Sequence, residues 1–248
     1  MLTKLLKYDL KYMIRNMAPF YVLALIFAII SRILFSVEQT TVIAVFANIS
    51  VGCMFSMVAS ILINVAMRSW VRFRDSVYKD EAYLTHTLPV TKNDIYNSKL
   101  IQTLIFFLFS FIVAIVSILI TYYTEERWLF VKETFKSVSQ LADINPVILL
   151  ISLIVILFLE IFNAIQCGFF GLILGYGKNN AQVLHSVVFG FVAYMVTQVI
   201  TATIVSSLTL FSEESKILLL ASTILYLSVI IIMSIVSKKL LNRGVNVE

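Results

Sequence analysis

The sequence predicts an all-α, polytopic membrane protein with six transmembrane helices, and three observations carry that reading. Hydrophobic residues make up 60% of the 248 residues and charged ones only 13%, about half the charge that usually covers a soluble domain. The mean hydropathy is +0.96. The apolar residues fall in six continuous runs, each reaching the roughly 20 residues a helix needs to cross a bilayer core. Continuous rather than alternating patterning favours helices over strands in lipid. A water-soluble globule, a disordered tail and a disulfide-stapled domain are all excluded.

Residues 1–17 are predicted as an amphipathic interfacial helix. Lys4, Lys7, Lys11 and Arg15 lie three or four apart on one face, and Leu2, Leu6, Leu10, Met13, Ile14 and Met17 crowd toward the other. The chain is then expected to turn at Pro19; a plain basic topology signal is the alternative. The six-span domain occupies 18–237, with apolar runs at 18–37, 41–67, 101–123, 147–174, 183–210 and 217–237. The first run is too long for a signal-peptide core and no small-residue cleavage site follows it, so it is expected to stay as a span. A cytoplasmic tail, 238–248, closes the chain.

Orientation follows from the basic residues. Lys4, Lys7, Lys11 and Arg15 precede the first span, and Arg68, Arg72, Arg74, Lys79, Lys92 and Lys99 lie between the second and third. Lys178, Lys238, Lys239 and Arg243 share that side, against Arg32, Arg127, Lys132, Lys136 and Lys216 on the other. The bias predicts a multi-pass protein of the cytoplasmic membrane with both termini in the cytoplasm. The net charge of +5 is explained by that rule, so no nucleic-acid partner is called for; membrane lipid is. Trp70 and Trp128 fall just past span ends, where indole rings favour the headgroup layer.

The connection 68–100 is longer than two adjacent helices require. Asp80 and Glu81 suit the first turn of a short helix, Pro89 should stop it, and Thr91 with Asp94 makes a box-like cap for the next helix. Within it, Glu81-x-x-Leu84-x-x-x-Leu88-Pro89-Val90-Thr91-Lys92-x-x-Ile95-x-x-x-Lys99 resembles the loop after the second span of type-2 ATP-binding-cassette exporter permeases. The six spans, cytoplasmic termini and amphipathic leading helix are similar to that family too. The resemblance implies that the loop holds a coupling helix that docks on a separate ATPase subunit, with Glu81, Leu84, Leu88 and Pro89 as the docking surface. A solvated loop that only sets topology is the alternative. The resemblance further implies a second permease copy or paralogue, with ATP and magnesium bound by the partner ATPase and no cofactor in this chain. One departure concerns the outer re-entrant hairpin often found between spans five and six, because only 211–216 is clearly polar there. The compact permeases that export amphipathic or antimicrobial peptides, including phenol-soluble modulins, are the nearest in kind.

Polar residues inside the runs are the remaining candidates. Glu160 lies near the middle of the fourth span, where an ionised side chain costs about 3 kcal/mol unless partnered or hydrated. Asn163, Cys167 and Gly171 follow it on one stripe. This marks a substrate pathway or gate, or a protonated glutamate bonded to a neighbouring helix. In the second span, Asn48, Gly52, Ser56, Ser60 and Asn64 recur at four-residue spacing and read as a helix-packing stripe or as a substrate path, and both hold if the packing is between two copies. Gly171-x-x-x-Gly175 carries the same two readings. Gln198 and Thr201 are weaker signals. Residues 124–146 allow a short amphipathic helix built on Trp128, Phe130, Val131 and Phe135.

Enzyme chemistry finds no pattern. Gly175-Tyr176-Gly177-Lys178-Asn179 lacks the Ser or Thr of a phosphate loop and follows an apolar helix rather than a strand. His86 and His185 stand apart, and Cys53 and Cys167 lie in apolar runs, so neither a metal site nor a redox pair is expected. The alternatives to an exporter subunit are a proton-coupled secondary transporter using Glu160 and a membrane protein that senses or sequesters a peptide to give immunity.

Overall fold

The computed structural model describes residues 2–37, 40–79, 81–87, 90–123, 125–141, 143–178, 180–211 and 215–243. Among them the chain is all-α: α1 (Leu2–Ser36), α2 (Thr41–Val77), α3 (Ala82–Thr87), α4 (Lys92–Tyr122), α5 (Glu125–Leu141), α6 (Pro146–Gly175), α7 (Gln182–Phe211) and α8 (Ser215–Arg243). The six long helices α1, α2, α4, α6, α7 and α8 are apolar enough to cross a membrane, and they make this a polytopic helical membrane protein. α5 supplies the helix expected in 124–146.

The helices outrun the apolar runs that announced them. α2 continues to Val77 and α4 already starts at Lys92, so most of the connection 68–100 is helical. Likewise α8 runs to Arg243 through the first half of the expected tail. Hydropathy ends where lipid ends, whereas backbone hydrogen bonding continues into water, and basic residues favour a helix C-terminus. α7 is unbroken to Phe211.

The turn expected at Pro19 is absent, because α1 is one helix with Pro19 inside it. Proline forfeits the hydrogen bond to the carbonyl of Arg15, but a buried stripe carries the helix across the gap. Asp9, Met13, Met17, Tyr21, Ala24, Ala28 and Ser31 are buried at three- and four-residue intervals, a single face running past the proline. Tertiary burial of that face outweighs the lost bond, as it commonly does in membrane helices.

By packing, the chain divides into two units. The first comprises Met1–Ser69 and Asn97–Val131. Here Ala28, Met54, Val58 and Ala114 form a core between α1, α2 and α4. Ser31 and Ser50 share a 2.8 Å hydrogen bond between α1 and α2, and Tyr21 and Ser110 another between α1 and α4. At the start of α1, Asp9 accepts from Lys99 Nζ at 2.7 Å and from Ser98 Oγ at 3.3 Å. This ion pair is buried, with Asp9 1% and Lys99 3% exposed.

The small-polar stripe of α2 does not pack α2 within this unit. Asn48, Gly52 and Ser56 are exposed, Ser60 and Asn64 partly so, and Asn64 Nδ2 merely donates back to the Ser60 carbonyl at 2.8 Å. The buried face is Ala47, Ser50, Met54, Val58, Ile61 and Val65. Large apolar groups bury more area than small polar ones, so they take the interior and turn the polar stripe outward.

The second unit comprises Trp70–Tyr96 and Lys132–Glu248. Asn145 caps α6 by accepting from Val147 N at 2.9 Å, with Pro146 in the first turn. α6 packs on both α7 and α8. Its glycines set the approach to α7: a Cβ on Gly171 would overlap Ser186 O and the Gly190 backbone, and one on Gly175 would overlap Ser186. Gly171-x-x-x-Gly175 is therefore a packing motif.

Candidate functional site

Two places in the second unit carry polar chemistry beyond what packing needs. The first is the connection between α2 and α4. Thr91 caps α4 as expected, accepting from Asp94 N at 3.2 Å and donating to Asp94 Oδ2 at 2.7 Å. α3 is the short helix expected between the two long ones, and it ends at Thr87, two residues before Pro89. Glu81 directly precedes α3 and accepts from Arg72 at 2.6 Å, with 45% of its side chain exposed. That pair ties the entry of α3 to the end of α2. Leu88 and Pro89 lie outside the described residues, as does the side chain of Leu84. Tyr83, which the sequence reading passed over, is 77% exposed. It leaves an aromatic ring facing outward from α3.

The connection is rooted by aromatic rings. Phe73 meets Tyr78, Tyr96 and Phe169 edge-on at 6.3, 6.2 and 5.1 Å between centroids. Tyr78 stacks on Tyr176 at 4.8 Å. Such pairs add about 0.5–1.5 kcal/mol each beyond their area. Burial pushes the pKa of the Tyr78 phenol up; it does the same to Tyr176, offset in part by the nearby Arg74 guanidinium. Both stay neutral at physiological pH. Trp70 donates its indole N–H to the Ile165 carbonyl at 2.9 Å. It packs where a Cβ on Gly168 would overlap its ring. A glycine inside an apolar run was the only sequence signal for that contact.

The second place is a polar cluster where α6 faces α7 and α8. Asn163 is fully buried; its Nδ2 donates to Thr197 Oγ1 at 3.1 Å, and Thr197 Oγ1 donates to the Tyr194 carbonyl at 2.8 Å. Cys167 Sγ lies 3.9 Å from both Asn163 Oδ1 and Thr197 Oγ1, a weak donor in a satisfied network. Gln166 Nε2 donates to Ser234 Oγ of α8 at 2.9 Å, while its Oε1 is buried without a partner. Glu160, one turn before Asn163, is half-buried. Tyr194 of α7 and Tyr226 of α8 are its neighbours, and Gln198 and Thr201 lie beside those phenols. Among the described residues no basic side chain forms an ion pair with Glu160.

The structure thus brings Glu160, Asn163, Gln198 and Thr201 into one cluster and adds Tyr194 and Tyr226, which sequence reasoning missed. Tyrosines in apolar helices give no distinctive pattern; only their placement beside a carboxylate marks them. The cluster offers a carboxyl group, two amides, a hydroxyl and two phenols, a set suited to binding a polar group or relaying a proton. Comparison with known protein families, with curated proteins and with solved structures finds no match to this chain.

Proposed function

We propose that this chain is the transmembrane permease subunit of an ATP-driven exporter in the cytoplasmic membrane, moving amphipathic or antimicrobial peptides, or other hydrophobic substrates, outward. Power comes from a separate ATPase subunit that binds ATP and magnesium. The observation that carries the reading is the α2–α4 connection. It is a short helix held by an Arg72–Glu81 ion pair, a Thr91 cap and a cluster of packed aromatic rings, where a topology signal would need only a solvated loop.

The packing supports a mechanical role. Phe73 and Tyr96 touch Phe169 of α6, Tyr78 touches Tyr176 beyond it, and Trp70 holds the Ile165 carbonyl. A push on α3 therefore reaches α6, the helix that carries Glu160 and Asn163. Closure of the ATPases on ATP would shift these helices between two packed arrangements, since close-packed interiors move as bodies rather than deform smoothly. Lys and Arg are concentrated at the connection and at both ends of the chain, which by the positive-inside rule supports a cytoplasmic side for them, within reach of such a partner. The outward-facing stripe Asn48, Gly52, Ser56 supports a second permease copy or paralogue seated on α2.

The test is site-specific photocrosslinking. With a benzophenone side chain in place of Tyr83, the chain expressed in its native membrane crosslinks to a protein whose sequence carries a phosphate-binding loop. A crosslinker at Tyr83 that meets only lipid and solvent during active transport overturns the assignment. The half-buried Glu160 favours one other reading, a proton-coupled transporter, and that reading predicts transport which survives ATP depletion but collapses with the proton gradient.

A further inference from the structure

A groove of about 430 Å³ runs along the first turns of α1, lined by Thr3, Leu6, Lys7, Leu10, Lys11 and Ile14. These residues recur at three- and four-residue spacing, so one helix face carries them all. Leu6 and Leu10 are half-buried, whereas Lys7, Lys11 and Ile14 are exposed. Neither lysine forms an ion pair among the described residues. Asp9, the only acid in α1, is buried and already matched by Lys99. The groove is thus an apolar floor carrying two ammonium groups, with which no anion among the described residues pairs.

Hydrogen bonds to α4 fix how deep the groove lies. Ser98 donates to Asp9, and Tyr21 shares a bond with Ser110; both pairs are 89 positions apart. The two helices therefore run parallel and in step. The apolar run of α4 starts at Ile101, which at that offset is level with Tyr12, so α1 enters the hydrocarbon there. Measured along the helix, Lys11 lies about 1.5 Å and Lys7 about 7.5 Å outside that edge, and Ile14 about 3 Å inside it. The headgroup layer is roughly 5–7.5 Å thick on each face of a bilayer. Both lysines fall within it, and Ile14 falls among the first methylenes of the chains.

We infer that this groove binds one anionic phospholipid of the adjoining leaflet, its phosphate between Lys7 and Lys11 and its first methylenes against Leu10 and Ile14. Charge complementarity selects the occupant. A phosphatidylcholine fits the apolar floor equally well, but its own ammonium meets two lysines. An acidic protein segment matches the lysines but brings no acyl chain to Ile14. Each lysine close to anionic headgroups strengthens binding by about fivefold. The site needs neither an ATPase partner nor a cargo, so it stands or falls apart from the exporter reading.

The experiment is native mass spectrometry of the full chain in a neutral detergent, with phosphatidylglycerol or phosphatidylcholine of identical acyl chains added. Phosphatidylglycerol binds at a concentration lower than phosphatidylcholine by about tenfold or more, the factor two lysines supply. Lys7→Gln with Lys11→Gln cuts that preference to about twofold or less, while Lys7→Arg with Lys11→Arg keeps it. The control is Lys132→Gln with Lys136→Gln, which removes two exposed lysines of the same spacing from α5 and leaves the preference at the wild-type level. An equal fall in the control shows attraction to net charge alone and overturns the site, as does a preference that survives Lys7→Gln with Lys11→Gln. Displacement of the lipid by millimolar inorganic phosphate, or by a hexaglutamate peptide, also overturns it and makes the face a free-anion or protein site. Phosphatidylcholine binding retained in the glutamine variant shows that it is folded.

Discussion

The two units treat a carboxylate in opposite ways. In the first, Asp9 is sealed in and matched: Lys99 Nζ lies at 2.7 Å and Ser98 Oγ at 3.3 Å. In the second, Glu160 is half-buried among phenols and amides, with no basic partner among the described residues. A charge that is completed inside the chain holds a structure together. The difference sets α6–α8, with their unmatched acid, apart from the α1–α2–α4 unit, whose acid is matched within the chain.

The largest effect should come from breaking the matched pair. Lys99→Met strands a buried Asp9 carboxylate, and removing one member of a buried pair costs about 3–5 kcal/mol. Thermal unfolding in detergent, followed by size-exclusion chromatography, should show that variant collapsing at temperatures the wild type withstands. Pairing it with Asp9→Asn should restore most of the loss. If the single variant is as stable as the double, the pair is not the fastening described here.

A smaller effect is expected where helices meet through glycine. Gly171→Ala pushes a methyl into the Ser186 and Gly190 backbone, and such overpacking costs about 1–3 kcal/mol. Gly52→Ala, with nothing within 4 Å of the added carbon, should instead be neutral or stabilise by up to about 1 kcal/mol through helix propensity. Reversal of that order in the unfolding assay would show that α2, not α6, is the glycine-packed helix.

The smallest stability effect belongs to Glu160→Gln, and it sharpens the contrast most. Replacing a half-buried acid by its isosteric amide removes no ion pair seen among the described residues, so unfolding should shift by about 0.5 kcal/mol or less. Export is nonetheless expected to stop. Wild-type export in a stable Glu160→Gln protein would remove Glu160 from the transport pathway.

Much of this was legible in the sequence, and unevenly so. Six apolar runs, the helix in 124–146, the short helix before Pro89 and the Thr91–Asp94 cap all follow from local rules, because each depends on neighbours within a few residues. Asp9 and Lys99 are 90 positions apart, and Lys99 was readable only as a topology charge and as part of the coupling-loop motif. The α2 stripe was half legible for a related reason. Periodicity gave the face correctly but not its direction, since Ala47, Met54 and Val58 form an equally regular face on the other side. Pro19 misled because its local penalty is fixed while the burial that offsets it is tertiary. At the site, Glu160 and Asn163 stood out as polar groups in apolar helices, but Tyr194, Tyr226 and Trp70 acquire meaning only from what packs beside them.

The account turns on force entering through α3 from another polypeptide, and one measurement addresses that most directly. Native membranes are solubilised, the chain is captured through a tag, and ATP hydrolysis by the captured assembly is recorded for wild type, Tyr83→Asp and Glu160→Gln. Hydrolysis should accompany the wild type and Glu160→Gln, and vanish with Tyr83→Asp, whose charge spoils the exposed face of α3. A captured assembly without ATPase activity, or one whose activity ignores Tyr83, would contradict the account.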